Sequence, residues 1–474
     1  MIRLGVSSLA LDDLVDLARG EARVEFPAEA RQRVRASRRV VDDAVRAGRA
    51  VYGVTTGFGP LKDQAVAPED ARALQLNLLR SHSAGVGPPA PREVVRAMLL
   101  LRAHSLAMGA SGDLAPLAHM ASVIVGEGEA WLGEQRMPAG LALRGAGLQP
   151  LVLEAKEGLA LINGTQFSTA FAALACADAE RVWEAGLAAA ALSIEVLLGS
   201  FQPAREDVQS LRPYRGAQEA ARRLREYSRG SALVESHKDC GRVQDAYSLR
   251  CVCPVLGASW DAILHVEQQL EVELNAVNDN PLVFAESGET VSAGLFHAQP
   301  VALAADYLKI AVAEIASLSE RRIDRLLDSR SSELPEALAR SPGLESGYML
   351  AQYTAAALVS ENKTLAHPAS VDSIPTGAGI EDHVSMAPIA ARHARAITDH
   401  AARVVAMELL CGCRALELRR PLHGGEGTEM LYGAVRRVVS APEGDRPLQG
   451  PCEELSRWVL SGGPQRLAEE VLSS

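Results

Sequence analysis

The pattern of apolar and polar positions predicts helices along most of this chain. Residues 91–108 begin Pro-Arg-Glu-Val-Val-Arg-Ala-Met, a proline-led helix start followed by a mostly apolar helix. Residues 167–199 are apolar with sparse charges, as a helix buried on several faces would be. Pro254 precedes a further stretch, roughly 255–276, that ends at the breaker run Asn278-Asp279-Asn280-Pro281. Long helical patterns follow at 299–328, 344–366 and 384–418. Several exceed the globular mean of about 11–12 residues, so a bundle of long helices is expected for the second half.

Between the helices lie polar, glycine-rich patches: Tyr52 to Pro60, Asn163-Gly164-Thr165, Gly241 to Arg250, Ser292 to His297 and Pro375 to Asp382. In a helical protein, loops of this kind tend to carry the chemistry. No internal repeat or low-complexity tract stands out. A change in composition near 200–230, with Pro203, Pro213 and many charges, suggests an N-terminal domain over 1–200 and a helical remainder over 201–474.

Composition narrows the function classes. The 474 residues are 48% hydrophobic and 23% charged, with 48 Lys plus Arg against 59 Asp plus Glu, a net charge of -11. The acidic residues are spread out, which argues against nucleic-acid or anionic-membrane partners. No sustained apolar segment follows Met1 before Asp12 and Asp13, so a signal peptide is not expected. The longest uncharged stretch, Gly158 to Ala177, contains Asn163, Thr165, Gln166, Ser168 and Thr169 and reads as buried helix, not as a membrane span. The seven scattered cysteines suggest reduced thiols and a cytoplasmic protein. Cys251-x-Cys253 and Cys411-x-Cys413 lack zinc spacing and His partners, so no metal site is expected.

The run Gly109-Ala110-Ser111-Gly112-Asp113-Leu114-Ala115-Pro116-Leu117 admits two readings. One is a tight turn between helices. In the other, the amide of Gly112 attacks the carbonyl of Ala110, which a sharply folded backbone of small residues permits. Loss of two waters then leaves a conjugated methylidene-imidazolone, an electron sink that can activate an amino acid without pyridoxal phosphate or metal. Asp113 replaces the last glycine of a Gly-x-Ser-x-Gly nucleophile elbow, which excludes that motif.

The chain resembles the histidine/phenylalanine ammonia-lyase family, in which Ala-Ser-Gly-Asp-Leu-Ala-Pro-Leu marks that electrophile. The resemblance runs from about Leu11 to the C-terminal region. It rests also on Tyr52-Gly-Val-Thr-Thr-Gly-Phe-Gly59, Ser81-His-Ser-Ala-Gly85, Glu157-Gly-Leu-Ala-Leu-Ile-Asn-Gly-Thr-Gln166 and Ser236-His-Lys. Further motifs are Val243-Gln-Asp-Ala-Tyr-Ser-Leu-Arg250, Glu273-Leu-Asn-Ala-Val-Asn-Asp-Asn-Pro281 and Glu381-Asp-His-Val-Ser385.

The resemblance implies a mainly α, ammonia-lyase-like fold: an N-terminal electrophile-loop domain, then a long-helix bundle and a C-terminal helical part. It implies a homotetramer with shared sites and the conversion of L-histidine to trans-urocanate and ammonia in histidine catabolism. It places Ala110, Ser111 and Gly112 as the source of the 4-methylidene-imidazol-5-one and Tyr52 as the base for the β-proton. Arg250 becomes the partner of the substrate carboxylate, for which a bidentate guanidinium is suited. Asn163, Gln244 and Tyr247 become polar groups around electrophile and substrate, and Phe296 an aromatic wall. His82 and Glu381 become the partners of the imidazole ring, whose two nitrogens need a donor and an acceptor.

Three features depart from the family pattern. A motif like Ser105-Leu-Ala-Met-Gly109 is fused to the electrophile loop, as if about thirty residues, on the order of 45 Å of helix, were missing. Gly377-Ala-Gly-Ile380 stands where a Ser-Ala-Asn-Gln type stretch is usual, and Leu295 where an asparagine precedes the phenylalanine. Two alternatives therefore stay open: a tyrosine or phenylalanine lyase or aminomutase, and a non-catalytic helical oligomer that kept the scaffold.

Overall fold

The computed structural model describes residues 1–20, 22–108 and 113–473. Ala110, Ser111 and Gly112 therefore lie outside the described residues. The chain forms two compact units, each assembled from three segments. The first comprises Met1–Leu174, Glu267–Ala305 and Pro368–Arg392; the second comprises Ala175–Val266, Asp306–His367 and His393–Ser474.

The predicted helices are present, at Arg92–Met108, Gln166–Val196, Val252–Leu274, Gln299–Leu327, Met349–Leu365 and Ala387–Arg419. Two boundaries differ from expectation. The helix expected to follow Pro254 starts at Val252, with the proline inside its first turn. There the missing N–H has no intrahelical acceptor to lose. The stretch expected to be helical from 344 begins only at Met349. Ahead of it the Asp445 carboxylate accepts from the amides of Ser346 and Gly347 at 2.7 and 2.9 Å, and Gly347 has φ of +55°. These local acceptors and the left-handed glycine hold the backbone out of helix.

Strand is confined, among the described residues, to three two-stranded pieces of the first unit. Ile2–Arg3 pairs parallel with Val24–Glu25, Glu129–Leu132 antiparallel with Gln135–Pro138, and Leu282–Phe284 antiparallel with Glu289–Val291. The rest of that unit consists of helices and the loops that join them. The helix Ala71–His82 packs on Leu114–Ile124 and Glu157–Ile162, and Arg92–Met108 packs on Leu11–Arg19 and Ala28–Arg46.

In the second unit the stretch 182–196 of the helix Gln166–Val196 is buried on every side. Ala185, Leu187, Ala188, Ala190, Ala191 and Leu192 are fully buried. Alanine is the best helix former and leaves room for neighbouring helices to approach closely. Trp183 stacks on Trp260 with ring centroids 4.3 Å apart and donates its indole N–H to the Leu256 carbonyl at 2.7 Å. At the centre Arg322 and Glu408, both fully buried, pair at 2.5 and 2.8 Å. Ser193 and Ser319 each donate to the same carboxylate at 2.6 Å. Cys411 and Cys413 are buried beside this core, and burial pushes the Cys413 thiol up to about 12.

Glu195 gives a prediction. Burial pushes its carboxyl up to about 7, although it accepts from the Gly425 amide at 2.9 Å and the Thr428 hydroxyl at 2.6 Å. The folded chain thus holds a proton that the unfolded chain releases near 4.5. This group's contribution to stability is complete below that pH and declines as pH rises towards 7. Glutamine would keep the acceptor for the Gly425 amide and donate to the Thr428 hydroxyl, which would then turn its one proton to the Gly425 carbonyl at 2.9 Å. Glu195→Gln should therefore raise Tm at pH 8 by a few degrees, roughly 2–4 °C per kcal/mol relieved, and leave Tm at pH 5 nearly unchanged. Melting curves at the two pH values check this, and parallel shifts would remove the assignment.

Candidate active site

Two segments of the first unit approach the ends of the Gly109–Gly112 stretch. The helix Arg92–Met108 leads into it and Leu114–Ile124 leads away. Between them Asp113 is held firmly. Its carboxylate accepts from the Ser168 amide at 2.8 Å and the Ser168 hydroxyl at 3.3 Å, and its own amide donates to the Gly164 carbonyl. Burial pushes this carboxyl up to about 7, against the pull of those donors at the start of the helix Gln166–Val196.

Gly164 interrupts what would otherwise be continuous helix between Glu157–Ile162 and Gln166–Val196. A Cβ there would lie 1.6 Å from Gln166 Oε1 and 2.3 Å from Arg102 Nη1, so any side chain would displace both groups from their bonds. The Arg102 guanidinium donates to Gln166 Oε1 at 3.0 Å and to the Ala160 carbonyl. Burial lowers it to about 10, with Asp279 opposing. Asn278 completes the floor: its carbonyl oxygen accepts from Gln166 at 2.9 Å and Ser105 at 3.2 Å, and its amide donates to Thr165 at 2.8 Å and Glu273 at 3.1 Å. Next to it Lys156 and Asp279 form a buried ion pair. A network with this many satisfied members fixes one backbone arrangement, because any unpaired member would be costly in the low-dielectric interior.

Of the expected site residues, Asn163 sits on this floor, buried, and donates to the Asn280 carbonyl at 3.2 Å. The Asn280 side chain in turn accepts from the Ala293 amide at 3.1 Å, three residues before Phe296, which is half-buried. Tyr52, also half-buried, lies in a tight turn, where the Gly59 amide donates to its phenol oxygen at 3.1 Å. Gly53, at φ of +64°, makes the turn possible: a Cβ would come within 2.4 Å of Leu159 Cδ2. The turn is anchored by Gln75, which donates to the Gly53 carbonyl at 3.3 Å and accepts from the Leu159 amide at 3.0 Å.

The short helical turn Gly59–Leu61 lies against Gly377–Gly379, so the Tyr52 loop and the Glu381 loop meet within this unit. Glu381 is exposed and accepts from the Thr376 hydroxyl, while Thr376 N donates to its carbonyl at 2.9 Å. His82 ends the helix Ala71–His82; its Nδ1 contacts the Leu78 carbonyl and Ser81 Oγ, each at 3.0 Å. The departing residues Leu295 and Ile380 are both exposed.

Gln244, Tyr247 and Arg250 belong to the second unit. Their segment is tied to the Leu197–Ser200 turn by Arg242, which donates to the Leu197 carbonyl at 3.1 Å, and by Asp245, which accepts from Ser200 N at 2.7 Å. His237 adds a contact with the Gly199 carbonyl at 3.1 Å. Gln244 and Tyr247 are exposed, not buried as polar groups lining a pocket within this unit would be. Arg250 spans the ring of Tyr247 at 4.6 Å and donates through Nε to the Asp245 carbonyl at 2.9 Å. Among the described residues, no hydrogen bond takes either terminal nitrogen of its guanidinium. Sequence reasoning passed over Arg102, Asn278, His297 and His383 as individuals, although each stands within or beside a quoted motif.

Among the described residues no group of three or more His, Cys, Asp and Glu could hold a metal ion. No helix of the described residues is long and apolar enough to cross a membrane.

Known proteins resemble the chain over nearly its whole length. The model of the family described as "Aromatic amino acid lyase" matches residues 9–112 and 107–437. The histidine ammonia-lyase of Gloeobacter violaceus is 47% identical over 487 residues, covering 96% of this chain and 95% of its own. That of Bacillus subtilis is 43% identical, with 97% and 96% covered. The crystal structure of histidine ammonia-lyase from Trypanosoma cruzi superposes with a TM-score of 0.91 at 39% identity, covering 99% of this chain and 95% of that one. Tyrosine aminomutase from Streptomyces globisporus also superposes at 0.91, at 33% identity, with 99% and 98% covered.

The missing segment is visible in these alignments. The two family matches overlap at 107–112, as a fusion of two similar motifs would produce. The Gloeobacter alignment runs over 487 positions, whereas 96% of 474 residues is about 455, so about thirty positions face no residue of this chain. The chain belongs to the aromatic amino acid lyase family and has its mainly helical ammonia-lyase fold.

Proposed function

We propose that the chain is a histidine ammonia-lyase, a carbon–nitrogen lyase that eliminates ammonia from L-histidine to give trans-urocanate in histidine catabolism. The observation that carries this reading is identity of 43–48% over nearly the whole chain to relatives bearing that name. Identity to the aminomutase structures is lower, 31–33%, which leaves the tyrosine and phenylalanine alternatives less favoured. In this reading the protein is cytoplasmic and works as a homotetramer with shared sites.

The described residues fit a methylidene-imidazolone formed from Ala110-Ser111-Gly112. The Gly164 cradle has no room for a side chain, and Asp113 anchors the stretch where it leaves for the next helix. Such a group supplies an electron sink for the substrate amine. In this reading, with sites shared between subunits, Arg250 offers its guanidinium fork to the substrate carboxylate, which sets that end of the molecule. His82 and Glu381 take the imidazole ring, one through its Nε2 and the other as an acceptor. Asn163 and Gln244 contribute amides, Phe296 closes one face, and Tyr247 holds the Arg250 guanidinium on its ring.

Tyr52 takes the β-proton. The Gly59 amide points at its oxygen, and that hydrogen bond strengthens as the oxygen gains negative charge. The test is urocanate formation from L-histidine, followed by its ultraviolet absorbance, with L-tyrosine and L-phenylalanine as competitors. Tyr52→Phe should lower kcat by about 10²–10⁴-fold, the usual contribution of a general base, with a smaller change in KM. Preferential turnover of L-tyrosine or L-phenylalanine would replace the substrate assignment, and unchanged kcat in Tyr52→Phe would remove the base.

A further inference from the structure

The segments carrying Phe296 and Glu381 are 85 positions apart in sequence, yet they are fastened together one residue beyond the first and two beyond the second. His297 Nε2 lies 3.2 Å from the main-chain oxygen of His383 and 3.3 Å from its Nδ1. The two rings are 5.3 Å apart at the centroids and tilted by 34°. A carbonyl oxygen can only accept, so the proton of this contact belongs to His297 Nε2. The Nδ1 of His383, facing the same N–H, is then a bare acceptor, and one donor serves two acceptors.

Other bonds brace both sides. Gln299 donates to the Ser370 carbonyl at 2.9 Å, and Val384 N donates to Ser373 Oγ at 2.8 Å. Asn280 holds Ala293 on the Phe296 side, and Thr376 holds Glu381 on the other. What remains between these braces is the short path from Phe296 through the His297–His383 contact to Glu381. Among the described residues, the histidine contact is the side-chain hydrogen bond that joins the two loops in that stretch.

We infer that His297 is a positioning residue for the substrate ring: by holding the His383 carbonyl, it sets the separation between the Phe296 wall and the Glu381 carboxylate. This rests on the histidine ammonia-lyase reading, since it gives those two residues their partner. His297 itself does not touch substrate in this scheme. It acts through its chain neighbours, so its removal loosens ring recognition more than it slows chemistry at the amine end.

The experiment compares His297→Leu with His297→Gln in the full chain. Glutamine places an N–H close to where Nε2 stands and can still donate to the His383 carbonyl; leucine cannot. His297→Leu should raise KM for L-histidine by about five- to ten-fold, the size of one lost hydrogen bond, and leave kcat within about two-fold. His297→Gln should recover most of that KM. Hydrogen–deuterium exchange read on the peptide spanning 373–386 should quicken in the leucine variant and return in the glutamine variant. An unchanged KM in His297→Leu, or a glutamine variant that behaves as leucine, overturns the inference. If the unaltered chain fails to turn over L-histidine, the lyase reading falls by itself, and unchanged exchange in 373–386 would remove the clamp as well.

Discussion

The peptide containing Ala110-Ser111-Gly112 from the purified chain is expected to be lighter by two waters than its sequence requires. The physical basis is the pair of anchors on the described side of that stretch. Asp113 is fixed through both carboxylate oxygens by Ser168, and its amide is fixed by Gly164, whose position tolerates no Cβ. Anchors of this kind fix the residue that follows the stretch without help from the substrate. Replacing the serine hydroxyl removes the second water to be lost, so Ser111→Ala should prevent formation of the conjugated group. Activity should fall by at least about 10³-fold, as when a covalent catalytic group is deleted. Mass spectrometry of the digested protein and the urocanate assay read the two effects separately.

The same measurement weighs the shortened segment. About thirty positions of the relatives have no counterpart here, and the two family matches overlap at 107–112, where the helix Arg92–Met108 ends. An intact, unmodified peptide in a folded oligomer would favour the scaffold reading, in which the fold persists without the chemistry. A dehydrated peptide would show that the anchors at Gly164 and Ser168 suffice.

The largest loss of stability is expected from Glu408→Ala. The substitution leaves Arg322 fully buried with one long contact to the Gly186 carbonyl at 3.4 Å, and it strips the acceptor from Ser193 and Ser319. Removing one partner of a buried ion pair costs about 3–5 kcal/mol, because the remaining charge must stay desolvated without its counterion. Four long helices contribute to this cluster or stack beside it, so the whole second unit should loosen. Denaturant midpoints would report the loss. The double variant Arg322→Met, Glu408→Leu should regain most of it, since apolar replacements carry no desolvation penalty. A Glu408→Ala midpoint equal to that of the unaltered chain would show that the pair contributes nothing.

The sequence alone determined the helical class, the places of the long helices and the family. Each of these depends on signals within a few residues of one another. Apolar spacing, a proline in a first turn and a breaker run such as Asn278-Asp279-Asn280-Pro281 act on the local backbone whatever lies elsewhere. The motifs around Tyr52, Asn163, Arg250 and Glu381 were legible for the same reason, as contiguous strings. Even the excised segment could be read, because it fuses two strings that each have a recognisable pattern.

The tertiary structure alone decided which strings face one another. Nothing near Arg102 indicates that its guanidinium would meet Gln166, 64 positions on, or that Asn278 would join Ser105, Thr165 and Glu273 in one buried network. His297 and His383 look like ordinary members of two loops until the fold sets their rings 5.3 Å apart. The start of the helix at Met349 was likewise set from a distance, by Asp445 capturing two amides nearly a hundred residues earlier. Each unit is built from three separated segments, so its core is a set of contacts between distant stretches. Local chemistry gives each residue its capacity to donate, accept or pack. Which capacity is used depends on the neighbour that chain folding brings, and burial then makes that choice costly to reverse.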